Sequence, residues 1–240
     1  MEALSKNKIK WIRSLRLKKN RDQEQLFVVE GEKMVRELMA EWPSSIHCIC
    51  TSEDLIDWSG EAYQTDERTL KEISQLQTPN KFLAVVKKPI IKANKEDFII
   101  VLDGIQDPGN MGTILRTCDW FNVDKIICSN TTVDIFNTKV IQSSMGSLFR
   151  IPVEYVNLHE YLSSAELPIY GALLKGENVY SQSFSQRGII VMGNEGYGIS
   201  EEIKALIQHP IHIPRFGGAE SLNVSVATGI LLSEFSRIGL

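Results

Sequence analysis

The sequence is poor in residues that hold metals or form disulfides. Its 240 residues include only four cysteines and four histidines. None of the cysteines forms a CxxC pair, and four are too few for a disulfide-stabilised scaffold of this length. The nearest pair of histidines, His209 and His212, has no acidic cluster beside it that would complete a metal site. We therefore expect reduced, mostly buried thiols and no bound metal.

Long hydrophobic runs are also missing. The longest apolar stretches, such as residues 98–102 and 188–192, are strand-sized, whereas a membrane-spanning helix needs about 20 residues. The basic N-terminal segment alternates charges with single apolar residues, so it lacks the continuous apolar region of a secretory signal. We expect a cytoplasmic protein without a membrane segment. A hydrophobic share of 43% and a charged share of 23% are ordinary for one large globular domain or two small ones.

The common nucleotide-binding fingerprints do not occur. No GxxxxGK[ST] phosphate-binding loop is present, and the glycines of residues 193–198 have the spacing GxxGxG rather than GxGxxG. No acidic residue follows about 20 positions later at the end of a strand. A small-molecule nucleotide enzyme with a Rossmann-like site is therefore disfavoured.

Charge is unevenly distributed along the chain. The net charge of the whole chain is −4, but residues 1–21 carry eight basic side chains against Glu2 alone, a net charge of +7. Such asymmetry indicates either an anionic partner for the basic end or a solvated helix face. Charge alone leaves both interpretations open.

The apolar pattern of the first half predicts a small α/β domain. Helical spacing predicts one amphipathic basic helix over residues 7–20 and a second helix over 31–39, and Thr65 is the expected N-cap of a third. Strands are predicted at 26–29, 46–50 and 82–86. The following segment contains Pro89 and shows little periodicity. We therefore divide the chain into a domain at 1–90, a linker at 91–97 and a second domain at 98–240.

The second half alternates continuous apolar strands with helices, which is typical of a mostly parallel sheet covered on both faces. The predicted strands are residues 98–102, 125–129, 169–174, 188–192 and 209–214. The predicted helices are residues 111–121, 137–144, 200–207, with Ser200 as N-cap, and 222–237. The last helix is apolar around most of its circumference, so it must be either central in the domain or covered by a partner subunit.

Three polar, glycine-containing segments lie at predicted strand ends, where open α/β sheets bind ligands. They are residues 103–117, 193–200 and 213–225. Each taken alone is more often a loop with a capped helix than a functional site. Arg116 adds a further signal, because its neighbours Leu115 and Cys118 are apolar and an arginine beside a buried face needs an anionic partner.

Taken together and in this order, the segments resemble the three motifs of the SpoU/TrmH family of RNA 2′-O-ribose methyltransferases, within the SPOUT class. The motifs are N-x-G-x-x-x-R at 110–116, G-N-E-G-x-G at 193–198 and I-P…S-L-N-V-S-V-A at 213–227. The resemblance covers residues 98–240. The first half is similar to the small substrate-binding domain of the family through its basic opening helix, residues 27–32 and residues 82–86. It departs from the family at residues 80–82, where relatives often carry Gln-Gly, and at Arg215, where many have an apolar residue.

The resemblance implies a fold, a cofactor and partners. It implies a C-terminal SPOUT α/β domain with a deep trefoil knot, preceded by a small L30e/L7Ae-like α/β domain that binds RNA. S-adenosylmethionine is the implied cofactor, and a homodimer is the implied assembly. The implied substrate is structured RNA, ribosomal RNA rather than transfer RNA because of the N-terminal domain. The alternatives are a transfer RNA 2′-O-methyltransferase and a non-catalytic RNA-binding protein of the same fold.

The resemblance also implies site residues. Gly193, Ile213 and Leu222 are expected to line the S-adenosylmethionine pocket, largely through backbone groups. The residues expected around the ribose and the donated methyl are Asn110, Arg116, Glu195, Ser221 and Asn223. A guanidinium is only a donor, so we expect Arg116 to grip a phosphate while phosphate or water takes the proton. Glu195 is expected to orient Asn110 or Arg116, or else to cap a helix.

Overall fold

A computed structural model describes residues 2–54, 58–185 and 187–237. The chain divides into two compact units. The first comprises Met1–Ile90 with Phe136–Gln142, and the second comprises Ile91–Ile135 with Ser143–Leu240. Residues 136–142, which the sequence analysis places in the second domain, therefore belong to the first unit.

The first unit is built on a sheet of mixed direction in the order β1-β4-β3-β5-β2. Its strands are β1 (Glu2–Ala3), β2 (Leu26–Glu30), β3 (Ile46–Thr51), β4 (Ala62–Gln64) and β5 (Phe82–Lys87). Its helices are α1 (Lys6–Ser14), α2 (Lys18–Glu24), α3 (Glu32–Glu41), α4 (Glu67–Ile73) and a 3₁₀ turn at Pro43–Ser45. Ile12 and Leu15 pack with the strands and with Leu70 in one fully buried cluster.

The predicted single helix over residues 7–20 is wrong, because the structure has two helices there. The carbonyl groups at the end of α1 are satisfied by side chains instead of by a continuing helix. Asn20 Nδ2 donates to the carbonyl of Ser14 at 2.8 Å, and Arg21 Nη1 donates to the carbonyls of Leu15 and Arg16. Side-chain donors therefore end α1 where periodicity alone predicts no break. The predicted cap of α4 is also displaced by one residue, since Asp66, not Thr65, accepts from the amide of Thr69.

Most basic side chains of the N-terminal segment have partners inside the first unit. Lys8 pairs with Glu61 at 3.0 Å and Arg13 with Glu72 at 2.9 Å. Arg16 donates to the main-chain carbonyl groups of Glu72 and Ser74. Lys18 pairs with Asp22 at 2.6 Å, and Arg21 is buried. In this segment, three exposed lysines form no ion pair or hydrogen bond within the described residues: Lys6, Lys10 and Lys19.

The second unit has a fully parallel sheet in the order β11-β9-β10-β6-β7-β8. Its strands are β6 (Phe98–Asp103), β7 (Lys125–Ser129), β8 (Val153–Val156), β9 (Ile169–Asn178), β10 (Gly188–Gly193) and β11 (His209–His212). The helices of this half are α5 (Pro108–Trp120), α6 (Thr138–Ser144), α7 (Leu158–Ser163), α8 (Glu201–Lys204), α9 (Val224–Arg237) and a 3₁₀ turn at Ser147–Phe149. Most of α6 belongs to the first unit. The α/β class is confirmed.

The strand order places a topological switch at the centre of this sheet. β6 leads through α5 to β7 on one side, whereas β10 leads through α8 to β11 on the other. β6 and β10 are paired, and the last pair in their register is Asp103 with Gly193. The connections leave this pair in opposite directions, and open α/β sheets have their binding crevice at the carboxyl ends of two such strands.

The final helix is two residues shorter at its start than predicted, and it is only partly covered. Thr228, Leu231, Leu232 and Phe235 are buried. It packs against α5, where the methyl group of Thr117 lies 3.8 Å from the position of a Cβ on Gly229. Val226 remains 52% exposed. Within the described ranges, no helix is long and apolar enough to cross a membrane.

Candidate active site

The loop after β6 presents the first motif at the central crevice. Gly104 follows the strand with φ +75°, a conformation that L side chains rarely adopt. Asp107 then caps α5 by accepting from the amide of Asn110 at 2.8 Å, and Pro108 starts the helix. Asn110 therefore stands in the first turn of α5.

The loop after β10 is a tight turn that requires glycine at its base. A Cβ on Gly193 would lie 2.2 Å from main-chain atoms of Gly198 and Ile199, so no side chain fits there. Asn194 and Gly198 exchange two main-chain hydrogen bonds of 3.0 and 2.9 Å. Asn194 Nδ2 also donates to the carbonyl of Gly104 at 2.7 Å. This bond fastens the two loops to each other at the crevice.

Asp103 and Asn194 hold the loops of the site together, and the sequence analysis did not name either as a site residue. Asp103 is buried at the end of β6, and its carboxylate accepts from the amide of Ser200 at 2.8 Å. Ser200 is the N-cap residue of α8, as predicted, but its side chain makes no capping bond. The sequence could have indicated the role of Asp103, because an aspartate at the end of an otherwise apolar strand is buried and a buried carboxylate needs hydrogen-bond donors.

Three of the predicted residues meet in one hydrogen-bonded chain. Glu195 Oε1 accepts from Asn110 Nδ2 at 3.0 Å, and Asn110 Oδ1 accepts from Asn223 Nδ2 at 2.9 Å. Asn223 Oδ1 in turn accepts from the amide of Ser225 at 2.9 Å, at the start of α9. The carboxylate of Glu195 is held by the main-chain amides of residues 106 and 107 at 3.4 and 3.3 Å. Of the two partners expected for Glu195, the structure places Asn110, not Arg116, in hydrogen-bond contact with it. The contacts with the amides just before α5 also fit the alternative of a capping carboxylate.

The two ends of this chain fix the direction of every hydrogen bond in it. An ionised carboxylate only accepts, so Asn110 must turn its amino group toward Glu195. The amides at the start of α9 only donate, so Asn223 must turn its oxygen toward them. Each asparagine keeps one further N–H outside the chain of bonds. The arrangement therefore presents two oriented donors, one in the first turn of α5 and one directly before α9.

Arg116 lies apart from this chain of bonds. It is exposed on α5 and forms no hydrogen bond or ion pair among the residues described. Leu115 and Cys118 are buried in the core whereas Arg116 is exposed, and the anionic partner expected for Arg116 is not found among the described residues of the chain. Six residues of helix separate it from Asn110, a rise of about 9 Å. Its guanidinium is free to bind an anion that comes from outside the chain.

The third motif forms an open loop beside the crevice. Ser221 is exposed, Leu222 is 49% exposed and Ile213 is half-buried. In the part of the chain that the structure describes, the backbone of residues 213–222 makes no backbone hydrogen bond. Amide and carbonyl groups without backbone partners, together with partly exposed aliphatic side chains, suit an adenosine, whose base needs edge hydrogen bonds and apolar faces. The residues present therefore fit S-adenosylmethionine.

The described residues of this site include no metal-binding cluster and no exposed thiol. Among the described residues, no group of three histidine, cysteine or acidic side chains could hold a metal ion. The four cysteines are buried and unpaired. Burial raises the pKa of the Cys118 and Cys128 thiols. These thiols therefore stay protonated and inert at neutral pH.

Comparison with known proteins identifies the family. Residues 97–233 match the model of the SpoU rRNA methylase family, and residues 6–84 match that of an MRM3-like substrate-binding domain. The chain belongs to the SpoU rRNA methylase family. The resemblance read from the three motifs is thereby confirmed.

Two relatives and one solved structure are similar to this SpoU family member over most of its length. The 23S rRNA (guanosine(2553)-2′-O)-methyltransferase RlmP of Bacillus subtilis is 30% identical, covering 97% of each chain. The 23S rRNA (guanosine-2′-O-)-methyltransferase RlmB of Neisseria meningitidis is 33% identical, covering 58% of each chain. The AdoMet-bound rRNA methyltransferase from Sinorhizobium meliloti has a TM-score of 0.85 at 27% identity, covering 100% of this chain and 98% of that one.

Proposed function

We propose that this protein transfers the methyl group of S-adenosylmethionine to the 2′-hydroxyl of a ribose in ribosomal RNA. The observation that carries the proposal is the bonded chain Glu195–Asn110–Asn223, which joins the three motif loops at the central crevice. The names of the relatives support ribosomal over transfer RNA, since RlmP and RlmB both act on 23S rRNA.

The donor pocket is assigned to the backbone of Gly193, Ile213 and Leu222. Gly193 fixes the turn after β10, and the other two residues bound the loop whose described backbone makes no backbone–backbone hydrogen bond. When bound there, S-adenosylmethionine supplies an electrophilic methyl group on a positively charged sulfur. The residues around it need only bring the acceptor oxygen into line, because positioning can supply much of the rate.

The two asparagines position the acceptor ribose. The spare N–H groups of Asn110 and Asn223 donate to ribose oxygens, and Glu195 keeps Asn110 in the required orientation. Ser221, exposed two residues before Asn223, adds a hydroxyl that can donate or accept. A water-poor pocket favours the reaction, since opposite charges cancel as the methyl group moves to an ionising hydroxyl.

Arg116 is assigned to the RNA phosphate. Its planar fork can bind two phosphate oxygens, and its position on the exposed face of α5 leaves it unpaired within the described residues. A guanidinium has no lone pair to accept a proton, so phosphate or water takes the proton of the hydroxyl.

The wider assignments follow the family. The first unit, with its L30e/L7Ae-like character, binds the structured RNA, and the second carries the catalytic site and a deep trefoil knot. Two copies assemble as a homodimer in the cytoplasm. The exposed side chain of Val226 on α9 supports the dimer. The four cysteines, none of which forms a disulfide, support a reducing compartment.

A methyl-transfer assay tests the proposal. Ribosomal RNA from cells that lack the gene should accept labelled methyl from S-adenosylmethionine, and the product should resist alkaline cleavage at one nucleotide. Calorimetric titration should show binding of S-adenosylmethionine and none of NAD. RNA binding without transfer would instead support the non-catalytic alternative, and transfer RNA as the preferred acceptor would correct the substrate.

A further inference from the structure

Two large aromatic side chains are uncovered on the loops that carry the proposed catalytic residues. Phe216 is 95% exposed and lies five residues before Ser221. Tyr197 is 63% exposed and lies two residues after Glu195. An apolar ring left in water forgoes the stabilisation that burial gives, and neither ring contributes to the core. Both rings are therefore available to a ligand that binds these loops.

Tyr197 is held in place by the turn after β10. The turn is closed by the two main-chain bonds between Asn194 and Gly198, and the amide of Tyr197 donates to Asn194 Oδ1 at 3.3 Å. The phenol oxygen lies over the end of β6, 2.9 Å from the position of a Cβ on Gly104. One end of the ring is thus fixed at the crevice while most of the side chain stays in solvent.

Phe216 stands on a loop with little to hold it. Neither Gly217 nor Gly218 has any atom within 4 Å of its Cβ position, so the loop lies in open space. Arg215 is exposed and forms no ion pair within the described residues, and its Nη1 donates only to the carbonyl of Ala219, at 3.3 Å. An unpaired cation therefore lies next to an uncovered ring.

We propose that Tyr197 and Phe216 stack on unpaired RNA bases beside the methylated nucleotide, with Arg215 on the neighbouring phosphate. The inference rests on the proposed function and specifies its substrate: a nucleotide in a single-stranded loop or bulge rather than in a duplex. Every base has a π face that an aromatic ring can stack on, but in a duplex those faces are covered by neighbouring bases. The ring of Phe216 can stack on a base while the neighbouring Arg215 binds a phosphate of the same RNA strand.

Kinetics of ring variants test this proposal with ribosomal RNA from cells that lack the gene as the acceptor. Phe216→Ala and Tyr197→Ala should each raise the KM for RNA by about 5- to 140-fold, the range for loss of one base–aromatic stack. The kcat and the Kd for S-adenosylmethionine should change less than about twofold. Phe216→Tyr should restore KM, whereas Phe216→Leu, which keeps bulk without a ring, should resemble Phe216→Ala. Leu174→Ala, at a side chain 80% exposed in the second unit, is the matched control and should change nothing.

A binding measurement separates this proposal from the proposed function. A short single-stranded RNA that contains 2-aminopurine should lose fluorescence on binding to the wild type, because stacking quenches the base. Phe216→Ala should reduce the quenching and Phe216→Tyr should keep it, whether or not methyl transfer occurs. Unchanged KM and quenching in both alanine variants would overturn the stacking assignment. Loss of S-adenosylmethionine binding in Phe216→Ala would overturn it as well, by placing that ring in the donor pocket.

A second experiment changes the base-pairing state of the methylated nucleotide. Once the methylated nucleotide has been mapped, a complementary DNA strand can be annealed across it. Methylation should then fall by at least about tenfold, because the stacking faces are covered. Equal methylation of the annealed RNA would contradict an unpaired substrate.

Discussion

At the residue scale, the proposed function rests on hydrogen bonds whose direction is fixed from both ends. Asn110 and Asn223 each have one amide group that must both donate and accept. Glu195 at one end and the first amides of α9 at the other leave only one arrangement of these groups. This arrangement costs the enzyme no reorganisation during the reaction, which is the usual source of catalytic advantage for positioned donors.

The first prediction concerns Asn110. Asn110→Asp places a second acceptor against Glu195, so the bond between the two side chains is lost and the donor to the ribose with it. We expect methylation to fall by about 10²- to 10³-fold, with little change in S-adenosylmethionine affinity. Single-turnover transfer and calorimetry measure the two effects. Thr113→Ala, exposed one turn along α5, is the control. Lost cofactor affinity with normal turnover at saturation would show that Asn110 belongs to the donor pocket.

The second prediction concerns Arg116. If Arg116 grips a phosphate, Arg116→Lys keeps the charge but loses the planar fork, so activity should fall sharply without a change in the pH range. A titrating base would behave differently, because the ordinary pKa of lysine is about two units or more below that of arginine. Single-turnover rates against pH, with cofactor saturating, distinguish the two. An active lysine variant whose profile moves to lower pH would refute the positioning role.

At the element scale, the net charge of the basic N-terminal segment overstates the number of cations that are available to RNA. Arg13 and Arg16 tie α1 to the end of α4, and Arg21 closes the end of α1. Such side chains contribute to the stability of the first unit and are already neutralised or bonded. The cations left for an RNA backbone are the exposed lysines without internal partners.

The third prediction separates these two sets of basic residues. Replacing Lys6, Lys10 and Lys19 by Gln should weaken RNA binding and flatten its salt dependence by close to one counterion per lost phosphate contact. The melting temperature should stay near that of the wild type. Arg16→Gln should instead lower the melting temperature, since the carbonyls of Glu72 and Ser74 lose their donor. Binding titrations at several salt concentrations and thermal melts provide both readouts. A salt slope that the triple variant leaves unchanged would make these lysines a solvated face.

At the scale of the whole molecule, one side of α9 is buried in its own chain and the other is exposed. Leu231, 1% exposed, packs inside its own chain, whereas Val226 is 52% exposed. The apolar excess that predicts a partner subunit therefore lies on the Val226 side of the helix.

The fourth prediction uses this difference. Val226→Glu should shift the protein from dimer to monomer in sedimentation at micromolar concentration while keeping its fold. Leu231→Glu should unfold the second unit, because it buries an unpaired charge. A wild type that sediments as a stable monomer would contradict the homodimer. A Val226→Glu variant that stays dimeric would place the interface elsewhere.

The sequence by itself determined what depends on local order. Apolar runs located most strands, and the spacing of the three motifs identified the family. The same motifs named Asn110, Glu195 and Asn223 although 85 residues separate the first two. Short, half-exposed elements such as β8 and α7 escaped, because partial burial leaves little apolar periodicity to detect.

Only the tertiary structure decided which distant groups meet. Periodicity cannot show that Asn20 and Arg21 end α1, that Arg116 faces away from the core, or that residues 136–142 pack with the first unit. Nor can it show that Asn194 fastens the loop after β10 to that after β6. These outcomes depend on contacts between residues far apart in the chain or on the side of a helix that packing selects. Local patterns carry no information about such contacts, so the fold alone converts the motifs into one site.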